Sequence, residues 1–321
     1  MAQDGRIQKL VAWWVLGLTV FVDTIWFLTS DCEFLISGTF KVLLGIVAIG
    51  VVLAFYSIVR RDERIVAALY SVLVLIGFTS AAATFSYLIA SLSFPLWDAE
   101  FHRWDMAFGL DWRAYLAWLN DHPAIGFAFT LAYQSIMPQI IIICVVLGLT
   151  GRCFELSVFI LAFFLSCMLC VLISGVMPAM GMYVHLGLKP TDFPNLSPAA
   201  AYLHVEHMLA LRDGTYHSFN LTAAQGIITF PSFHASLAVI FLRAFWSIPW
   251  LRWPSVVLNL VMIAATPIDG GHYFVDVGAG IVIAVACLVF AENPKCFLSL
   301  RRGIGSFPVL RSLRYARSWG T

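Results

Sequence analysis

Apolar residues in this chain gather into eight runs, at roughly 10–29, 36–58, 65–91, 124–148, 154–177, 231–248, 252–268 and 272–291. A helix needs about twenty such residues to cross the ~30 Å hydrocarbon core of a bilayer. Inside a bilayer only helices and closed barrels satisfy their own backbone polar groups. The four consecutive isoleucines at 140–143 break the inside-outside alternation that a barrel strand requires. The pattern therefore predicts an all-α, polytopic transmembrane helical bundle of about eight spans. The sixth and seventh runs meet at a tight connection marked by Pro249, Trp250 and Pro254. The first run carries Trp13, Trp14 and Trp26 near its ends and is longer than a signal-peptide core, so it reads as a retained span with interfacial anchors.

Composition agrees: 61% of residues are hydrophobic and 12% charged, against roughly 25% charged in soluble domains. A formal net charge of +1 argues against a nucleic-acid partner. The distribution of charge says more than its sum. Alternating the eight runs across the membrane puts fourteen of the nineteen basic residues on one side. Only Lys41, Arg103, Arg113, Lys189 and Arg212 fall on the other, so both termini are expected to be cytoplasmic. Residues 292–321 form a basic cytoplasmic tail suited to anionic lipid. All eight histidines lie in outer segments or at outer span ends. Of the seven cysteines only Cys32 clearly sits on that outer side, so no disulfide framework is expected.

Two outer segments are long. Residues 92–123 interleave acidic and basic side chains with Trp97, Trp104, Trp112 and Trp118, which reads as an amphipathic stretch with its tryptophans at headgroup depth. In residues 178–228, Ser197 and Pro198 precede an apolar-polar pattern running to Arg212, with Gly214 beyond. Cap, early proline and following glycine predict a short helix.

Two motifs carry candidate chemistry. Phe230-Pro231-Ser232-Phe233-His234 opens the sixth run; a helix start presents free N–H groups and a positive dipole end, a seat for phosphate beside His234. Asp269-Gly270-Gly271-His272 makes a turn into the last run, and Asp276 follows His272 on the same helical face. A carboxylate held against an imidazole fixes its tautomer and raises its basicity, and an acid within an apolar span requires a partner. Two histidines and a carboxylate suit phosphoryl transfer through a phosphohistidine; a buried ion pair that only joins helices accounts for His272 and Asp276 as well. A metal site is not expected: there is no HExxH, and His204 and His207 three apart make a weak pair. A non-catalytic transporter or scaffold is the remaining class. The spans hold almost no charge to line a permeation path, and a scaffold leaves both histidine motifs unexplained.

Pro231-Ser232-Phe233-His234 followed by Gly271-His272-Tyr273-Phe274-Val275-Asp276 resembles the type 2 phosphatidic acid phosphatase superfamily, most nearly its inositol phosphorylceramide synthase branch. The resemblance implies a six-helix phosphatase-like catalytic core at 96–291, preceded by transmembrane helices at 1–95. It implies His272 as nucleophile, Asp276 as its orienting acid, and His234 as general acid and then base. It further implies a phospholipid or lipid-phosphate donor, a lipid alcohol or water as acceptor, no cofactor, and a multi-pass cell-membrane protein with its site on the non-cytoplasmic (periplasmic or lumenal) face. Two positions depart from the phosphatases of that superfamily: Phe233 replaces a glycine, and Thr266 stands where they carry an arginine. Both resemble the synthase branch and favour phosphotransfer over hydrolysis. They also leave the phosphate without an obvious cation, so Arg212, then Lys189, are the expected substitutes. Ser232, Gln134 and Gln139 are the remaining candidates for substrate contact, though hydrogen bonding between helices accounts for the two glutamines about as well.

Overall fold

The computed structural model describes residues 5–198 and 200–294; the basic tail lies outside them. Thirteen α-helices account for most of the described chain. Six are long and apolar enough to cross a membrane: α1 (Arg6–Thr29), α2 (Ile36–Ile58), α3 (Glu63–Ser91), α8 (Cys153–Val176), α12 (Pro249–Asp269) and α13 (Phe274–Glu292). The pair α6 (Pro123–Gln134) and α7 (Ile136–Leu149) together meets the same test of length and apolarity but is bent by 49° at its break, the form of a broken span or a re-entrant loop.

The sixth apolar run differs from expectation. It folds as the 14-residue α11 (Phe233–Trp246), about 21 Å long at 1.5 Å per residue and so shorter than the hydrocarbon core. Punctuation explains the length. Ser232 caps its start by accepting the amide of Ala235, and Pro249 opens the next helix directly after it. Its surroundings explain why a short helix suffices: it packs on α8, α12 and α13, with Ala235, Leu237, Ala238, Ile240 and Phe241 buried.

The helices alternate in direction, so the connections at 92–122, 177–232 and 270–273 all lie at one end of the bundle. There they build a cap from α4 (Asp98–Ala107), α5 (Trp112–Asn120), α9 (Met182–His185) and α10 (Ala200–Asp213). Gly214, at φ +77°, ends α10 in the left-handed conformation that glycine adopts without a Cβ penalty. Glu33–Phe34 and Ser218–Phe219 pair as a short parallel ladder.

Among the described residues the buried apolar side chains form three clusters, two of which bear on the site. In the membrane part, Phe78 of α3 stacks on Phe164 of α8 with ring centroids 3.6 Å apart, within a cluster that includes Phe159, Phe163 and Phe241. The cap has its own core of Phe101, Trp112, Tyr183, Phe230 and Tyr273. This corrects the expectation for the four tryptophans. Trp104 and Trp118 are exposed, but Trp112 is 1% exposed and belongs to the cap core. Its indole N–H donates to the carbonyls of Pro267 and His272 at 3.3 and 3.2 Å, so it serves the protein interior rather than the headgroup layer.

Candidate active site

The starts of α11 and α13 lie side by side at the capped end. The Ser232 amide donates to the Asp276 carbonyl at 3.0 Å, and the Ser236 hydroxyl donates to the Gly280 carbonyl at 2.7 Å. The approach is close enough that a Cβ on Gly280 would collide with the Ser232 carbonyl. Between α12 and α13, Gly271 turns the chain at φ +67° and its carbonyl accepts the Met182 amide at 2.8 Å. A side chain on Gly270 would press on the His272 ring and the Tyr133 hydroxyl, each 2.6 Å from its ideal Cβ.

Carboxylates occupy the first amides of α13. Asp105 accepts from Phe274 and Val275 at 2.8 and 2.9 Å, and Asp276 accepts from Tyr273 at 2.9 Å. Asp98, also buried, accepts from Met180, Gly181 and the Tyr273 hydroxyl. An anion therefore finds no free donors at the start of α13. At the start of α11 the amides of Phe233 and His234 have no acceptor among the described residues, as expected for the first turn of a helix with only a Ser232 cap.

The imidazoles converge. His272 Nδ1 is 3.2 Å from Asp276 Oδ2, its Nε2 is 3.5 Å from Ser232 Oγ, and its ring centroid is 6.5 Å from that of His234. Burial lowers the His272 pKa to about 4, so the ring is neutral near pH 7. The Thr229 backbone is a further partner of the ring and opposes the burial shift; in the tautomer that donates from Nδ1 to Asp276, the Nε2 lone pair faces the Ser232 hydroxyl. Tyr133 stacks flat on His234 at 4.0 Å, with its hydroxyl 3.4 Å from His234 Nδ1. One oxygen of Asp276 has no hydrogen-bond partner among the described residues.

Two cavities meet at these rings. One of 210 Å³ is lined by His272, His234, His204, Gln225, Thr229 and Tyr133. A second, of 380 Å³, runs between helices past Gln134, Phe163 and Leu237, and shares His234 and Tyr133 with the first.

Of the residues expected from sequence, His272, Asp276, Ser232 and His234 come together, and Gln134 lines the larger cavity. Gln139 lines neither. It accepts from Asn259 Nδ2 and donates to Ser135, each at 2.9 Å, tying α7 to α12. The two expected cations also stand apart. Arg212 donates to the Phe94 carbonyl at 2.8 Å from the far end of α10, and Lys189 is exposed ahead of a 3₁₀ turn. Among the described residues no lysine or arginine lines either cavity. Thr266 is buried with its hydroxyl on the Met262 carbonyl. Sequence reasoning missed His204, which is buried against the Met180 carbonyl at 3.1 Å, with burial lowering its pKa. It also missed Asp98, Asp105 and Trp112, whose role as braces shows only in their long-range partners.

Against known families, the model of the PAP2 superfamily matches residues 99–290. No curated protein and no solved structure matches the chain.

Proposed function

This chain belongs to the PAP2 superfamily, and from that premise we propose that it moves a phosphorylated headgroup between membrane lipids through a phosphohistidine on His272. The superfamily makes it an enzyme of the lipid phosphatase or phosphotransferase type, acting on lipid phosphates at a membrane. The chemistry is assigned from the site. The His272 Nε2 lone pair attacks phosphorus, the bond to the leaving alkoxide breaks, and His234, in the protonated form that an anionic phosphate beside it favours, supplies that alkoxide's proton and becomes neutral. Asp276 holds the Nδ1 proton and the positive charge that develops on the ring. The amides of Phe233 and His234, with the Ser232 hydroxyl, are placed to hold the phosphoryl oxygens. In the second half His234 takes the acceptor's proton, its oxygen bonds to phosphorus, and the P–N electron pair returns to His272.

The observation that carries transfer over simple phosphomonoester hydrolysis is charge. Among the described residues no lysine or arginine lines the site, and two acids stand beside it, Asp276 against His272 and Asp269 in the larger cavity. A phosphomonoester brings about −1.5 to −2 charge near pH 7, whereas a phosphodiester brings one. An uncompensated dianion in such a place is costly, and a diester headgroup is the better fit. The apolar cavity reaching His234 offers a lipid alcohol a route to the same phosphorus. This agrees with an activity like that of inositol phosphorylceramide synthase. The sequence's fourteen-to-five division of basic residues supports a cell-membrane protein with this site on the non-cytoplasmic face.

The test is to incubate purified protein with a panel of headgroup-labelled phospholipids, with and without ceramide or diacylglycerol. A new labelled phospholipid is expected. Labelled headgroup released only into water would make the protein a hydrolase. His272→Ala is expected to abolish both while the protein stays folded, and full activity in that variant would remove the proposal. With a p-nitrophenyl leaving group, which needs no acid, His234→Ala is expected to accumulate an acid-labile, labelled phosphoenzyme.

A further inference from the structure

The larger cavity holds an acid that this chemistry does not use. Asp269, the last residue of α12, is 6% exposed. It lines both the 380 Å³ cavity and an adjoining one of 170 Å³. Among the described residues its carboxylate has one hydrogen-bond donor, the Thr130 hydroxyl at 2.7 Å. An ionised carboxylate accepts about four hydrogen bonds, and a buried one left short of donors is unfavourable. Yet the rest of the cavity is largely apolar, walled by Ile140, Phe163 and Leu237. Its volume falls in the roughly 300–1,000 Å³ range of small-molecule sites. His234 lines this cavity, whereas His272 lines only the smaller one. The proton-handling histidine thus faces both spaces, and the phosphorus-bearing one faces a single space.

We propose that the 380 Å³ cavity seats the acceptor, a long-chain lipid alcohol, and that Asp269 accepts a hydrogen bond from a second donor beside the reacting hydroxyl. The preferred acceptor class is therefore an alcohol with a neighbouring hydroxyl or N–H. The inference rests on the transfer reading: the reacting hydroxyl gives its proton to His234, its oxygen bonds to phosphorus, and the P–N bond to His272 breaks. Asp269 binds and orients; it exchanges no proton.

The experiment compares two chain-matched acceptors, 1-O-hexadecylglycerol and 1-hexadecanol, with one headgroup-labelled phosphodiester lipid as donor. The wild-type protein is expected to favour the glycerol ether in kcat/KM by about 10- to 100-fold, the size of one hydrogen bond to a charged group. Asp269→Asn is expected to shrink that ratio to within a few-fold, because a ratio cancels any general loss of active protein. An equal preference in the variant, or none in the wild type, overturns the proposal. Should that variant not fold, Thr130→Val takes its place. It frees the acid's second oxygen for the ligand, so the preference is expected to widen, and an unchanged or smaller ratio counts against the idea. Wild-type protein that labels neither alcohol would remove the transfer reading itself, and this inference with it.

Discussion

Asp105→Asn probes whether the active turn is held by the acid beneath it. Asp105 has no exposed surface, and its two oxygens accept the first two amides of α13, from Phe274 at 2.8 Å and Val275 at 2.9 Å. Burial pushes its carboxyl pKa up from the usual range, and the two amides pull it back. The positive end of the α13 dipole works in the same direction as the amides. Asparagine keeps the shape but turns one acceptor into an NH₂ group, which then faces an amide N–H. One charge-assisted hydrogen bond, about 1.5–3 kcal/mol, is lost, and a buried amide is left unpaired at about 1–3 kcal/mol more. The sum, about 2.5–6 kcal/mol, is a large part of the roughly 5–15 kcal/mol that holds a typical domain together. His272 and Asp276 hang from the same first turn, so kcat is expected to fall with little change in KM. Two measurements check this in detergent: the half-time of activity loss on heating, since unfolding of such proteins is often irreversible, and steady-state headgroup release below the unfolding range. If Asp105→Asn matches the wild type in both, the start of α13 is held by something else and the bracing argument fails.

Two further outcomes follow from the same geometry. Burial holds the His272 pKa near 4 against about 6.5 in an unfolded chain, so the unfolded state binds more protons between those values. The stability this ring allows is complete above about pH 6.5 and is lost as pH falls toward 4, by up to about 3 kcal/mol, an upper figure because the Asp276 carboxylate favours the protonated ring. Heat-inactivation rates across that window are expected to rise less steeply in His272→Gln, and identical pH profiles would refute the assignment. Gly280→Ala places a methyl against the Ser232 carbonyl and is expected to spread α11 from α13 at about 1–3 kcal/mol, the usual range for overpacking. Activity should fall with stability; a fully active, equally stable variant would show that the two helix starts need not touch.

The sequence by itself determined what neighbours along the chain decide. Runs of apolar residues made the helices, Ser232 capped α11, Gly214 closed α10, and the four-residue step from His272 put Asp276 against its ring. Those signals are local, because capping and helical periodicity act within a turn or two. Tertiary structure decided everything that depends on which element lies beside which. The short α11 is viable because other helices surround it, and Trp112 turned inward to hold the His272 turn. Asp105 found its donors 169 residues away, and His204 came to line the 210 Å³ cavity beside His272. The expected cations failed for the same reason. Arg212 and Lys189 precede the site motifs within the same outer segment, but α10 and its preceding loop carry them elsewhere on the cap. Position along the chain sets which groups are present, whereas packing sets which of them share a low-dielectric space, and the chemistry depends on the second.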